Sequence, residues 1–137
     1  MEHVVLPGRK PPPGIDRLPF SDAVRAGETV YIAGRIGLDR TTGKPPADVA
    51  DEARVLMDDV CDVLRACGLT TADLAMVTIF APDVRDFAAF NAVYLGYFGE
   101  RLPARAFIGS GPLLFGARFE LTAIACAQRS NEPEPSS

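Results

Sequence analysis

An α+β fold, one mixed β-sheet with two helices packed on one of its faces, is predicted by three observations. Apolar residues recur at period two in several segments and at helical spacing in two others, in the order strand, strand, helix, strand, helix, strand, strand. The length of 137 residues fits one domain and makes two implausible. Hydrophobic residues at 47% and charged residues at 23% supply both a core and a solvated surface.

Each element follows from local chemistry. Residues 1–17 predict an extended N-terminal arm, with proline and glycine concentrated over residues 7–19. "SDAVRAGETVYIAG" predicts two short strands turning at Ala26 and Gly27, with Val30 and Ile32 on one face. "LDRTTGKPP" is a polar loop. A helix is predicted over roughly residues 48–67, since Ala53, Leu56, Val60, Val63 and Leu64 form one apolar stripe. Asp48 suits its N-cap and Gly68 the left-handed position after its end. "LAMVTIFA" is apolar on both faces and predicts a strand inside the sheet. Phe87, Phe90, Tyr94, Tyr97 and Phe98 predict a second helix over roughly residues 86–98, ended by Gly99. "ARAFIG" and "RFELTAIACAQ" are the last strands, and residues 130–137, "SNEPEPSS", predict a disordered tail. No internal repeat is present, so residues 1–137 are expected to form a single domain.

Composition narrows the function. No apolar run is long enough to span a bilayer, and the N-terminus lacks the apolar stretch of a signal peptide, so a cytoplasmic location is expected. Cys61 and Cys67 lie six residues apart in one helical pattern and Cys126 lies in a strand pattern. That odd, unspaced set predicts buried inert thiols rather than disulfides or a zinc site. Net charge is −4 and the only lysines are Lys10 and Lys44, so no basic face is evident and nucleic-acid recognition is disfavoured. "GSGPLLFG" does not have dinucleotide-binding spacing and reads as a turn.

Two charges stand inside apolar segments: Arg105 in "LPARAFIG" and Glu120 in "RFELTAIA". Alternation puts Phe119, Leu121, Ala123, Ala125 and Ala127 on one face of the last strand, so Glu120 points away from the core with Arg118 and Thr122. If the last two strands pair as a hairpin through "SGPLLFGA", Arg105 and Glu120 come close on one face beside Phe107. Two readings stay open. One is a structural ion pair. The other is a pocket in which the arginine fork holds a carboxylate and the glutamate takes a proton from water or holds water for attack. A face carrying Arg105, Phe107 and Glu120 would have no helix left to cover it, and a neighbouring subunit would suit.

Several motifs together resemble the RidA/YjgF family: "LPAR" before an apolar strand, "FELTAIA", "YIAGRIGLD…TGKPPADVADEAR" and "DFAAFNAVYLGYF". The resemblance covers nearly all of residues 18–128. It implies a chorismate-mutase-like fold assembled as a homotrimer, with a pocket at each subunit interface. It also implies hydrolysis of enamines and imines, such as 2-aminoacrylate, to 2-keto acids and ammonia, with no metal or organic cofactor. By the same resemblance, Arg105 binds the substrate carboxylate and Glu120 positions the attacking water. Asn91 lies near the pocket, or is an ordinary helix-surface amide. Gly34 lets backbone groups approach the ligand.

The sequence departs from the family pattern at four positions. Phe20 stands for a tyrosine, Phe107 for a cysteine, and Ala33 and Arg35 for a serine and a glutamine. With Phe20, Ala33 and Phe107 lining it, the pocket loses three polar groups and gains a cation. Each lost hydrogen bond is worth about 1 kcal/mol. A bulkier or more apolar substrate is one consequence. A second is a non-catalytic ligand-binding or regulatory trimer. A third reading, endoribonuclease, is opposed by the acidic charge and by the single histidine, His3, in the arm.

Overall fold

The first helix begins where the sequence places a carboxylate cap, and the second follows Asp86 without a side-chain cap hydrogen bond. Asp48 accepts a hydrogen bond from the Asp51 backbone N–H at 3.1 Å, satisfying one of the free donors at the start of α1 (Val49–Ala66). Gly68 follows its end with φ +74°, a conformation that costs glycine no steric penalty. The predicted stripe is buried throughout, from Ala53 to Leu64. The second helix is shorter than its apolar stripe: α2 spans Phe87–Tyr94, and a single 3-10 turn, Leu95–Tyr97, completes it.

The computed structural model describes residues 1–9, 11 and 16–127. The predicted disordered tail lies outside the described residues. Six strands form one sheet: β1 (Glu2–Val4), β2 (Ala23–Ala26), β3 (Thr29–Ile36), β4 (Leu74–Ala81), β5 (Ala104–Gly109) and β6 (Glu120–Cys126). Their order across the sheet is β1-β2-β3-β6-β4-β5. β1 lies within the expected arm and pairs antiparallel with β2 through three residues, too few to show a period in the sequence. β4 lies inside the sheet, as its apolar faces predict. No helix is long and apolar enough to cross a membrane among the described residues.

Three expectations are corrected. β5 and β6 do not form a hairpin. β5 pairs parallel with β4 at the sheet edge, and β6 inserts antiparallel between β3 and β4. The intervening residues form a loop with a 3-10 turn, Leu114–Gly116, rather than a tight turn at Gly111 and Pro112. Arg118 does not share the face of Glu120; its guanidinium reaches back to α1. Cys67 is buried as expected and Cys61 half-buried, but Cys126 is exposed at the end of β6.

The helices cover one face of the sheet, and the core lies between. Val30, Ile32, Val77, Ile79, Phe119, Leu121 and Ala125 meet Leu56, Met57, Val60, Val63 and Phe90 there, each 2% exposed or less. Burying a side chain of this size contributes about 1.5–3 kcal/mol. The opposite face carries no helix. Tyr31 and Ile124 stand opposite each other on it, as do Thr78 and Thr122, and Phe80 lies between Glu120 and Ile108. Tyr31 is 50% exposed and Ile108 43% exposed.

Candidate functional site

Glu120 projects from the first residue of β6 onto the open face, half-buried. A break in the β3 register places Gly34 beside it. Ile32 pairs with Ala123 and Arg35 with Leu121, so two residues of β3, Ala33 and Gly34, bulge where regular pairing would leave room for one. Thr122 pins the bulge by donating its hydroxyl to the Ile32 carbonyl at 2.8 Å. A Cβ on residue 34 would lie 3.1 Å from Glu120 Oε2, so a glycine is what lets the carboxylate sit against the backbone there. Glu120 has no hydrogen-bond or ion-pair partner among the described residues.

The start of β6 is anchored by Glu52, a residue outside the sequence-predicted site. Glu52 is fully buried on α1. Its carboxylate accepts from the backbone N–H of Arg118 at 2.7 Å and of Phe119 at 3.3 Å. The Arg118 guanidinium donates to Glu52 Oε1 at 2.8 Å and to the carbonyls of Pro46 and Ala47 at 3.1 and 2.7 Å. One carboxylate thus fixes the two residues preceding Glu120. The sequence signal was slight: Glu52 adjoins Ala53 and lies four residues before Leu56, on the flank of the apolar stripe.

Arg105 lies on the other side of the sheet. It pairs with Val77, and Phe107 with Ile79, both core-facing, so Arg105 and Phe107 face α2. The expectation that they share an uncovered face with Glu120 is therefore corrected: β4 separates the strands, and the side chains leave opposite faces. The guanidinium carbon of Arg105 lies 4.7 Å from the ring centroid of Tyr94, 5.6 Å from that of Phe87 and 5.9 Å from that of Phe107. The rings of Phe87 and Phe107 meet edge to face at 5.1 Å. Arg105 has no hydrogen-bond or ion-pair partner among the described residues. Asn91, three residues before Tyr94 on α2, has its Oδ1 buried without a hydrogen-bond partner, and so does the Tyr94 hydroxyl. Burial pushes the Tyr94 phenol above its usual pKa, and the nearby Arg105 charge opposes the shift.

The remaining positions fall apart from these two. Phe20 is 48% exposed in the segment before β2. It lines a shallow cavity of about 520 Å³ with Val5, Arg9, Arg17, Leu18 and Ser21, and none of the other predicted site residues borders that cavity. Arg35 does not add a cation to the open face. The bulge turns it toward α1, where it is buried, donates to Asp22 at 2.7 Å and pairs with Asp59. Burial alone would lower its pKa; Asp59 and Asp22 outweigh that and hold it raised, hence charged. Arg9 closes the network on Asp59.

The family model described as Endoribonuclease L-PSP matches residues 15–127. A RutC family protein of Pyrococcus horikoshii is 37% identical over 108 residues, covering 78% of this chain and 86% of its own. The 2-iminobutanoate/2-iminopropanoate deaminase of Capra hircus is 36% identical over 108 residues, covering 78% of this chain and 79% of its own. Among solved structures, E. coli TdcF with bound serine superposes with a TM-score of 0.81 at 31% identity, covering 93% of this chain and all of that one. The YjgF gene product of E. coli gives 0.81 at 30% identity over the same shares.

Proposed function

The chain belongs to the Endoribonuclease L-PSP family, that of RidA and YjgF, and from that premise we propose that it hydrolyses 2-imino acids to 2-keto acids and ammonia. The observation that carries the reading is a pair of half-buried opposite charges, Arg105 and Glu120, each without a partner among the described residues. Charges held from solvent are ordinarily paired. Two left unpaired are available to a ligand. The deaminase names of the mammalian relatives point the same way.

In this reading the substrate carboxylate docks on the Arg105 fork. An enamine such as 2-aminoacrylate first tautomerises to its imine. Glu120 takes a proton from a water lying against the Gly34 backbone. The hydroxide adds to the imine carbon, the C=N π pair moves to nitrogen, and nitrogen takes the proton that Glu120 holds, giving the carbinolamine. Glu120 then takes the carbinolamine hydroxyl proton and passes it to the amino group, which leaves as ammonia while the C–O bond becomes C=O. Imines hydrolyse slowly unaided, so placement and proton transfer are the whole of the task.

Because the side chains of Arg105 and Glu120 leave opposite faces of one sheet, one copy does not close this pocket alone. The homotrimer supplies the remedy: Arg105 of one copy meets Glu120 of another. The uncovered face bearing Tyr31, Phe80, Ile108 and Ile124 is the surface for that contact. A non-catalytic binding trimer is the second reading. It is favoured by Ala33, beside Gly34, and by Phe107, beside Arg105, which bring no polar group to those two charges.

The test generates 2-iminopropanoate and 2-iminobutanoate with an amino-acid oxidase and follows imine decay with and without the protein. Acceleration that vanishes in Arg105→Ala supports the deaminase. Binding of 2-keto acids without any acceleration, by a folded protein, selects the second reading.

A further inference from the structure

We propose that Phe87, Tyr94 and Phe107 form a positioning cage for Arg105, holding the cation over their π-faces rather than by hydrogen bonds, so that its N–H donors remain free for a carboxylate. The proposal rests on the reading of Arg105 as the carboxylate-binding residue and explains how the chain keeps that residue ready.

The contrast with other arginines carries it. Arg35 spends its fork on Asp22 and Asp59, Arg118 on Glu52 and two carbonyls, and Arg25 on the carbonyl of Cys67. Arg105 spends its fork on nothing among the described residues. It is surrounded instead by three rings at 4.7, 5.6 and 5.9 Å. A guanidinium is planar, and its donors lie in that plane. An aromatic ring attracts the cation through its π-face without accepting those hydrogen bonds. A carboxylate partner would fix Arg105 equally well, but would compete with an incoming carboxylate for the same donors.

The cage also assigns a role to Phe107, the residue that departs from the family cysteine. Its ring packs edge to face on Phe87 at 5.1 Å and lies 5.9 Å from Phe90, tying the edge strand β5 to α2 beneath the guanidinium. Tyr94 contributes through its ring and not its hydroxyl, because that hydroxyl has no hydrogen-bond partner.

The experiment has two readouts. Nitrogen-15 NMR follows the Arg105 Nε–Hε resonance, which the rings shift upfield. Titration with 2-oxobutanoate and with its methyl ester measures recognition of the carboxylate. Replacing one ring, in Tyr94→Leu, is expected to move the resonance toward its free position. It should weaken 2-oxobutanoate roughly fivefold while sparing the ester. Tyr94→Phe is expected to recover most of that loss. Phe87 is 46% exposed, so Phe87→Leu repeats the test where folding is not at risk. A resonance at its free position in the parent protein overturns the cage. So does 2-oxobutanoate binding that Arg105→Ala abolishes but Tyr94→Leu and Phe87→Leu leave untouched. Unchanged binding in Arg105→Ala overturns the carboxylate reading instead.

Discussion

At the scale of single residues, the contact between Gly34 and Glu120 is the most sensitive to small changes. A methyl group at position 34 would stand 3.1 Å from Glu120 Oε2, closer than a carbon and an oxygen rest comfortably. The backbone there has no positive φ, so Gly34→Ala is expected to fold normally. It would displace the carboxylate by a few tenths of an ångström, and misplacement of 1 Å costs about a hundredfold in rate. We expect kcat to fall about tenfold with little change in melting temperature, measured on the same preparation; a large loss of stability would show that the bulge, not the carboxylate, is what the glycine protects. Glu120→Gln is expected to lower kcat further while KM changes little, because the amide still holds water but takes no proton. Alternation along β6 was enough to turn Glu120 out of the core from sequence alone. Arg35 was not legible in that way: the bulge shifts the alternation by one residue, which sends it to α1, and no residue type in "AGRIG" marks the shift.

At the scale of elements, buried polar links join the pieces that position the site. Glu52 ties α1 to the start of β6 through two backbone N–H groups and Arg118. Glu52→Ala leaves those donors without an acceptor, and breaking a buried ionic contact on one side costs about 3–5 kcal/mol. Because Arg118 is partly exposed and can rehydrate, a loss of about 3 kcal/mol is expected in urea unfolding. Tyr97 ties the end of α2 to α1 by donating its hydroxyl to Asp58 at 2.6 Å. Burial and the Asp58 charge push its pKa well above the usual value near 10. Above pH 10 the unfolded chain therefore sheds a proton that the folded chain retains, and stability falls as pH rises. Tyr97→Phe is expected to make that alkaline decline shallower, read from unfolding midpoints at pH 9 and pH 11. Helix α1 was legible to within a residue because its stripe, its Asp48 cap and Gly68 agree. The position of β5 was not. Two strands adjacent in sequence with Gly111 and Pro112 between them favour a hairpin, whereas β5 pairs parallel with β4 and packs Phe107 on α2, a tertiary arrangement without local signal.

At the scale of the whole molecule, the placement of Arg105 and Glu120 on opposite faces makes the oligomer part of the proposed chemistry. If the pocket draws Arg105 from one copy and Glu120 from a neighbour, each of two defective variants retains half of what a site needs. Arg105→Ala still offers a sound Glu120, and Glu120→Ala still offers a sound Arg105. Each alone is expected to be inactive. Unfolded together in equal amounts and refolded, the two chains assort at random. A pocket is intact when its arginine comes from the Glu120→Ala chain and its glutamate from the Arg105→Ala chain. Each event has even odds, so about a quarter of the pockets recover in a closed symmetric ring. Activity near one quarter of the parent's, in a mixture whose mass by light scattering is that of a trimer, is the expected result. No recovery in a trimer of that mass would place both residues in one chain's pocket, which the sheet could allow only by rearranging β5. The same logic fixes what the open face must do. Ile124→Asp places a charge opposite Tyr31 where a neighbouring copy is to pack, and a carboxylate there stays hydrated only in the monomer. That variant is expected to dissociate, keep its helical circular dichroism and lose turnover, because separation removes one of the two charges from every pocket.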